Sequence, residues 1–294
     1  MLFVPGNNMR MIHKASTLDA DAIILDLEDA VPLTEKETAR IFIKDSIDLV
    51  GSGNSSVYVR VNALTTKLTM EDLEAVALPG LEGIVLPKCE SHNEVISAEK
   101  LIGKVERKKK LKLRNLVLLP TLETAKGVLN SYEIASASKR VAAISFGAVD
   151  FTRDMGTSIS RDGSELMYAR SRIAVAARAA EVQAIDTPWI DIADRDGFVK
   201  DSRFARQLGF RGKLLIHPGQ IQTVNEVFSP SQGEVEYAKK VVDAFQTAQA
   251  KGLGAISLEG RMIDIANYRQ ARDLLALAEA IAEREQSRKE KAQS

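Results

Sequence analysis

Ala22-Ile23-Ile24-Leu25-Asp26-Leu27-Glu28-Asp29 carries an unbroken apolar run straight into three carboxylates. A run without polar alternation fits a strand covered on both faces, as in a parallel sheet. The acids then lie where that strand leaves the sheet. The same construction recurs along the 294 residues, in Leu2–Val4, Ala22–Leu27, Val57–Asn62, Gly83–Pro87, Leu116–Pro120, Val141–Phe146, Ile185–Ile192 and Lys213–His217. Longer amphipathic segments separate these eight runs. Four of them open on a possible capping box or its Asp variant, at Thr34–Glu37, Thr69–Asp72, Ser91–Glu94 and Ser231–Glu234. Another, between Glu165 and Val182, is Ala-rich with Ile173, Ala176, Ala177 and Ala180 on one stripe. Eight βα alternations predict an α/β fold of the closed (β/α)₈ TIM-barrel type. The rival is an open doubly wound sheet, but no G-x-G-x-x-G follows any run, and Gly252-Leu253-Gly254 follows a helix instead.

Beyond the eighth run, the spacing of Val235, Ala238, Val241, Val242 and Phe245 predicts a helix over Glu234 to Lys251. A loop from Gly252 to Ile265 follows, then a last helix from about Tyr268 into the polar tail Glu283–Ser294, read as a solvated end. The expected organisation is a barrel over residues 1–230 and a C-terminal helical extension over 231–294.

Lys plus Arg and Asp plus Glu both count 40, so the formal net charge is zero. No global field draws the chain to nucleic acid or to an anionic membrane, and neither is expected as a partner. One cysteine, Cys89, excludes an internal disulfide framework. His13, His92 and His217 are scattered without zinc-ligand spacing. No apolar run reaches a membrane span, and the first strand begins at Leu2 with no signal peptide before it, so a cytoplasmic location is expected. Lys104–Arg114 is the one basic cluster and reads as a solvated helix end.

In such a barrel the active site forms at the C-terminal ends of the strands. Glu28 and Asp29 follow the second run, Arg60 ends the third, and Lys88 follows the fourth. Glu123 follows the fifth, Asp150 the sixth, and His217 ends the eighth. Each has a duller use: Glu123 and Asp150 as first-turn acids, Arg60 as an ion-pair partner of Asp26 or Glu28, His217 as a structural histidine. Gathered at one rim they suit a ligand. Two carboxylates from neighbouring strands favour Mg²⁺ or Mn²⁺ and leave positions for substrate and water. An adjacent arginine can neutralise an oxyanion. A metal and a cation around a 2-oxo acid would polarise its carbonyl, or stabilise the alkoxide that expels an enolate. The rim offers no acid/base for the carbon α to a thioester.

The ordered series Leu2–Gly6, Ile24–Val31, Val59–Asn62, Leu86–Lys88, Leu122–Ala125, Phe146–Asp150, Gly209–Lys213, Ile216–Pro218 and Gly260–Asp264 resembles the citrate lyase β-subunit-like proteins, which include malyl-CoA and citramalyl-CoA lyases. The resemblance runs from Leu2 to about Leu275. It implies Mg²⁺-dependent, reversible Claisen-type cleavage of a hydroxyacyl-CoA thioester (malyl-, citramalyl- or citryl-CoA) to acetyl-CoA and a 2-oxo acid. It gives Glu123 and Asp150 as metal ligands, with Arg60, Glu123 and Lys88 around the substrate. Arg60, the acidic pair Glu28 and Asp29, and Asp264 become the catalytic set. Asp264 lies, by this resemblance, on a segment that covers a neighbouring subunit's site, so a homotrimer or a multiple of it is implied. The alternatives are a subunit working on an acyl-carrier-protein thioester, and a thioesterase or malate-synthase-like net reaction. The Arg/Ser-containing stretch that often precedes the first strand in relatives is absent. So is the histidine near the second strand that serves relatives acting on free sugar acids, which points to the thioester branch.

Overall fold

Eight parallel strands run in sequence order: β1 Leu2–Pro5, β2 Ala22–Asp26, β3 Ser56–Arg60, β4 Leu81–Leu86, β5 Val117–Leu122, β6 Ala143–Phe146, β7 Gln183–Asp186 and β8 Gly212–Lys213. The computed structural model describes residues 1–53, 55–113 and 115–293. Each strand pairs with the next, for example Phe3 with Ile24 and Ile24 with Tyr58, with one register shift between β3 and β4 at Val57/Tyr58. The sheet closes on itself just past β8. Phe3 N–H donates to the Leu215 carbonyl at 2.9 Å, and Leu215 N–H donates to the Met1 carbonyl at 2.8 Å. The (β/α)₈ expectation is therefore met.

The seventh run is shorter than its apolar length suggests. β7 stops at Asp186, because that carboxylate is taken by Arg170 and Lys213 at the strand end, and the chain then turns away through Thr187 and Pro188. Ile24, Val85, Leu119, Ala143, Ile185 and Leu214 fill the barrel with Phe3 and Tyr58 against them. This is the packed interior that inward-pointing branched side chains produce in such barrels.

One of the four expected capping boxes forms in full, Ser231 with Glu234; at Ser91 only half does, its Oγ accepting from Glu94 N–H at 3.4 Å while the Glu94 carboxylate turns to Glu90 N–H. Thr34 is instead taken into a 3₁₀ turn, Leu33–Glu35. Thr69 donates to the Asn62 carbonyl at 2.9 Å, and Asp72 is committed to Arg40 and Asn62. The basic cluster ends the helix His92–Lys108, where Lys108 pairs with Glu74 at 2.8 Å; its last residue, Arg114, lies outside the described residues, as does Ser294 of the polar tail.

The chain divides into two compact units, Met1–Asn225 and Glu226–Ser294. The second unit holds the helices Gln232–Ala250 and Ile265–Gln293. Between them, where a plain loop was expected, sits a hairpin of β9 Ile256–Leu258 and β10 Arg261–Ile263. Its two-residue turn, Glu259-Gly260, is left-handed at both positions, the backbone that closes a tight hairpin. Phe245 stacks on Tyr268 at 5.0 Å within a small core of Ala238, Val241, Ile263 and Ala271. Among the described residues no helix is long and apolar enough to cross a membrane.

Candidate active site

Asp26 ends β2 with only 1% exposure and organises the rim next to it. Its carboxylate accepts from Glu28 N–H and Ala30 N–H, which folds the acidic loop back over the strand end. It also takes the Arg60 fork, Nε at 2.7 Å and Nη2 at 2.6 Å. That bidentate grip fixes the guanidinium plane. Arg60 Nη1 reaches Glu28 at 3.2 Å, and the guanidinium carbon lies 4.7 Å from the Phe3 ring centre inside the barrel. Burial opposes the Arg60 charge, but the hydrogen bonds and charge of Asp26 outweigh it and hold the pKa above its usual value.

Lys88 joins the two halves of the rim. Its ammonium donates to Glu28 and, at 3.1 Å, to Asp29, while its backbone N–H donates to Glu123 Oε1 at 2.6 Å. A left-handed backbone, φ 52°, permits both at once. That conformation is uncommon for a residue with a side chain and is found where surroundings over-determine it, often at functional sites. Burial raises the Glu28 pKa against the pull of Arg60 and Lys88. Asp29 is also pushed up by burial, but hydrogen bonds with Glu28 and Lys88 bring it below the ordinary range.

Glu123 leaves β5 buried, at 3% exposure. Burial, together with the charge of Asp150, pushes its carboxyl up to about 7, against the Lys88 N–H and Arg60. Gly147 makes room for it: a Cβ there would lie 2.6 Å from Glu123 Oε2. Asp150 follows in the first turn of the helix Ala148–Asp154 and pairs with Arg153 at 2.9 Å. The start of that helix is held by Thr187 beyond β7, whose hydroxyl accepts from Ala148 N–H at 2.9 Å. Glu123, Asp150, Arg153 and Lys88 line one cavity of about 240 Å³.

Burial, and after it the neighbouring Asp150, makes the Glu123 charge costly, and a cation held between the two carboxylates would offset that cost. The donor set is oxygen only, which fits a hard divalent cation. No group of three His, Cys, Asp or Glu side chains suited to a metal occurs among the described residues. Glu123 and Asp150 would be the residues to hold the cation, leaving its other positions to water and substrate.

The barrel thus brings together Glu28, Asp29, Arg60, Lys88, Glu123 and Asp150. His217 serves as a cap, its Nδ1 accepting from Gly219 N–H at 3.1 Å. Asp264 belongs to the second unit, where its Oδ1 accepts from Ala266 N–H and Asn267 N–H and opens the final helix. Sequence reasoning passed over Lys36. Its buried ammonium donates to the Leu27 carbonyl at 2.6 Å and the Glu28 carbonyl at 2.7 Å, pinning the acidic loop from below. The signal was available: Lys36 opens a helix, where the dipole disfavours a cation.

The HpcH/HpaI aldolase/citrate lyase profile matches residues 1–218. The chain belongs to that family. Citrate lyase subunit beta of Leuconostoc mesenteroides subsp. cremoris is 40% identical over 280 residues, 95% of this chain and 93% of that protein. The human mitochondrial citramalyl-CoA lyase is 35% identical over 297 residues, 97% of this chain and 86% of its own. Among solved structures, the CitE protein of Mycobacterium tuberculosis in complex with magnesium, acetoacetate and coenzyme A superposes with a TM-score of 0.76. It is 31% identical, with 94% of this chain and 96% of that chain covered. Family membership makes the chain an enzyme of the carbon–carbon lyase class.

Proposed function

We propose that this lyase is Mg²⁺-dependent and cleaves a short hydroxyacyl thioester, malyl-, citramalyl- or citryl-CoA, to acetyl-CoA and a 2-oxo acid. The observation that carries the reading is that the buried Glu123 lines one cavity with Asp150, beside a guanidinium already fixed by Asp26. Glu123 and Asp150 would hold Mg²⁺ (or Mn²⁺), which when bound supplies a Lewis acid for the substrate's 2-oxygen and carboxylate. Arg60 contributes a rigid positive charge where negative charge grows on that oxygen as the carbon–carbon bond breaks. Because its fork is already satisfied by Asp26, it needs no reorganisation during the reaction. Glu28 and Asp29, with Lys88 between them, keep the approach to that oxygen polar and hold water there.

The carbanion left on the thioester needs a proton, and no rim residue recommends itself. Asp264, at the end of the β9–β10 hairpin, fills that role in our reading, offered by the second unit to the barrel of a neighbouring chain. The working enzyme is then a homotrimer or a multiple of it, and residues 231–294 act as a lid. The test is release of 2-oxo acid from the three CoA thioesters in parallel, each with Mg²⁺ and with EDTA. Metal-dependent cleavage of at least one supports the proposal, and none from any of them overturns it for CoA thioesters. Asp264→Ala is expected to lower turnover by orders of magnitude while sparing Mg²⁺ affinity. Near-normal activity would remove Asp264 from the mechanism.

The bacterial relatives named as citrate lyase β subunits favour a second reading, an acyl-carrier-protein thioester as substrate. Activity on a carrier-bound thioester, with the CoA thioesters inert, would select it.

A further inference from the structure

The cavity beside Glu123 holds two cations, Lys88 and Arg153, and they differ in how they are bound. Lys88 is engaged by Glu28 and Asp29, and Arg60 behind the cavity is held by Asp26 and Glu28. Arg153 is 76% exposed, and its ion-pair partner is Asp150, one helical turn earlier. When Asp150 gives its oxygens to a divalent cation, the attraction holding Arg153 is spent. A guanidinium then stands in the cavity wall without its counter-ion, next to a second positive centre. It calls for an anion of its own. The other acids of the wall do not supply one: Glu90 pairs with Lys126, and Glu94 accepts from Glu90 N–H and Ser91 Oγ.

We propose that Arg153 is a specificity-determining residue that binds a second carboxylate of the substrate. Of the three oxo acids compatible with the reading above, on which this inference rests, glyoxylate and pyruvate have one carboxylate each. Oxaloacetate alone has two. The first carboxylate is spent beside Glu123 and Asp150, and the second extends along the helix Ala148–Asp154 to Arg153, about 5 Å away in axial rise. The preferred substrate is therefore the citryl thioester, and the oxo acid released is the dicarboxylate. A planar fork suits a carboxylate better than an ammonium does. The cavity, below the roughly 300–1,000 Å³ of drug-sized ligand pockets, has room for the oxo-acid moiety, with the rest of the thioester outside it.

The test uses the full-length protein with Mg²⁺ and no thioester, so that binding is read without turnover. Calorimetric dissociation constants for oxaloacetate and pyruvate are compared in wild type, Arg153→Gln and Arg153→Lys. The wild type is expected to bind oxaloacetate at least about tenfold more tightly than pyruvate. Arg153→Gln should abolish that difference, leave pyruvate affinity unchanged and Mg²⁺ affinity equal or tighter, and raise KM for citryl-CoA but not for citramalyl-CoA. Arg153→Lys should restore part of the difference. Equal wild-type affinities for the two acids overturn the assignment of Arg153 alone. A wild type that binds neither acid overturns the oxo-acid site itself, and the proposal with it. A KM increase shared by all the CoA thioesters would place Arg153 against the CoA phosphates and overturn the proposal. So would a loss of Mg²⁺ affinity in Arg153→Gln, since Arg153 would then act through Asp150.

Discussion

Replacing Lys36 by methionine tests how the acidic loop is held. The side chain is buried, and its ammonium is the donor to two backbone carbonyls, those of Leu27 and Glu28. Methionine fills a similar volume but donates to neither. A buried acceptor left without its donor costs about 1–3 kcal/mol, so two cost about 2–6 kcal/mol, offset in part because an ammonium no longer has to be buried. The net expectation is a loss of about 3 kcal/mol, read from urea unfolding by circular dichroism. The consequence for catalysis follows from position. The Glu28 side chain bridges Arg60 and Lys88, and Lys88 N–H in turn holds Glu123. Slackening the loop should lower kcat by about ten- to a hundredfold, since small misplacements at a preorganised site are costly. The reasoning is refuted if Lys36→Met loses under about 1 kcal/mol and its kcat/KM stays within about twofold of wild type.

Glu123→Gln should abolish activity yet stabilise the protein in EDTA. The folded chain holds the Glu123 proton up to about 7 against an ordinary value of 4.5, so stability falls as pH rises between them and the loss is complete above 7. At about pH 8 the variant should gain up to about 3 kcal/mol, shrinking toward nothing near pH 5; a gain that grows on acidification contradicts this. Arg60→Lys keeps the charge but cannot make the two-pronged contact with Asp26, and kcat/KM measured on the accepted thioester should fall by at least about a hundredfold. Far from the rim, Arg140 is bound by Glu106 at 2.9 and 2.5 Å with both side chains buried. Glu106→Leu should therefore cost about 3–5 kcal/mol in urea unfolding with little change in KM.

How much of this was legible beforehand depends on the range of the interaction concerned. The barrel was legible because a strand covered on both faces must be apolar throughout, so Ile23-Ile24-Leu25 and its counterparts show themselves without long-range information. The rim was legible because barrel topology sends every strand's C-terminal end to one side, collecting Glu28, Arg60, Lys88, Glu123 and Asp150. What stayed hidden were side chains whose role depends on a partner distant in sequence. The sequence offers Asp26 and Glu28 as alternative partners of Arg60, but that the fork closes on Asp26 while one nitrogen reaches Glu28 shows only in the fold. Thr187 is an anonymous member of the seventh run, Ile185–Ile192, until its hydroxyl meets Ala148 N–H. Thr69 fits a capping pattern, yet the Asn62 carbonyl competes for its hydroxyl and wins. The β9–β10 hairpin escaped because its three-residue strands are too short to display a period.

The hydrogen bonds that join Phe3 and Met1 to Leu215 mean that, of the eight barrel strands, the first to be synthesised completes its pairing with the eighth. Until residue 215 emerges, β1 exposes one edge of unpaired amides and carbonyls, and the growing sheet exposes another. Those edges are liable to join other nascent chains, so the interval between the synthesis of β1 and of β8 is the period of greatest aggregation risk. The same adjacency offers a remedy. A variant cut in an exposed loop elsewhere in the barrel, with residues 1 and 294 joined by a long flexible linker, would shorten the sequence separation of the β8–β1 pair and should fold faster.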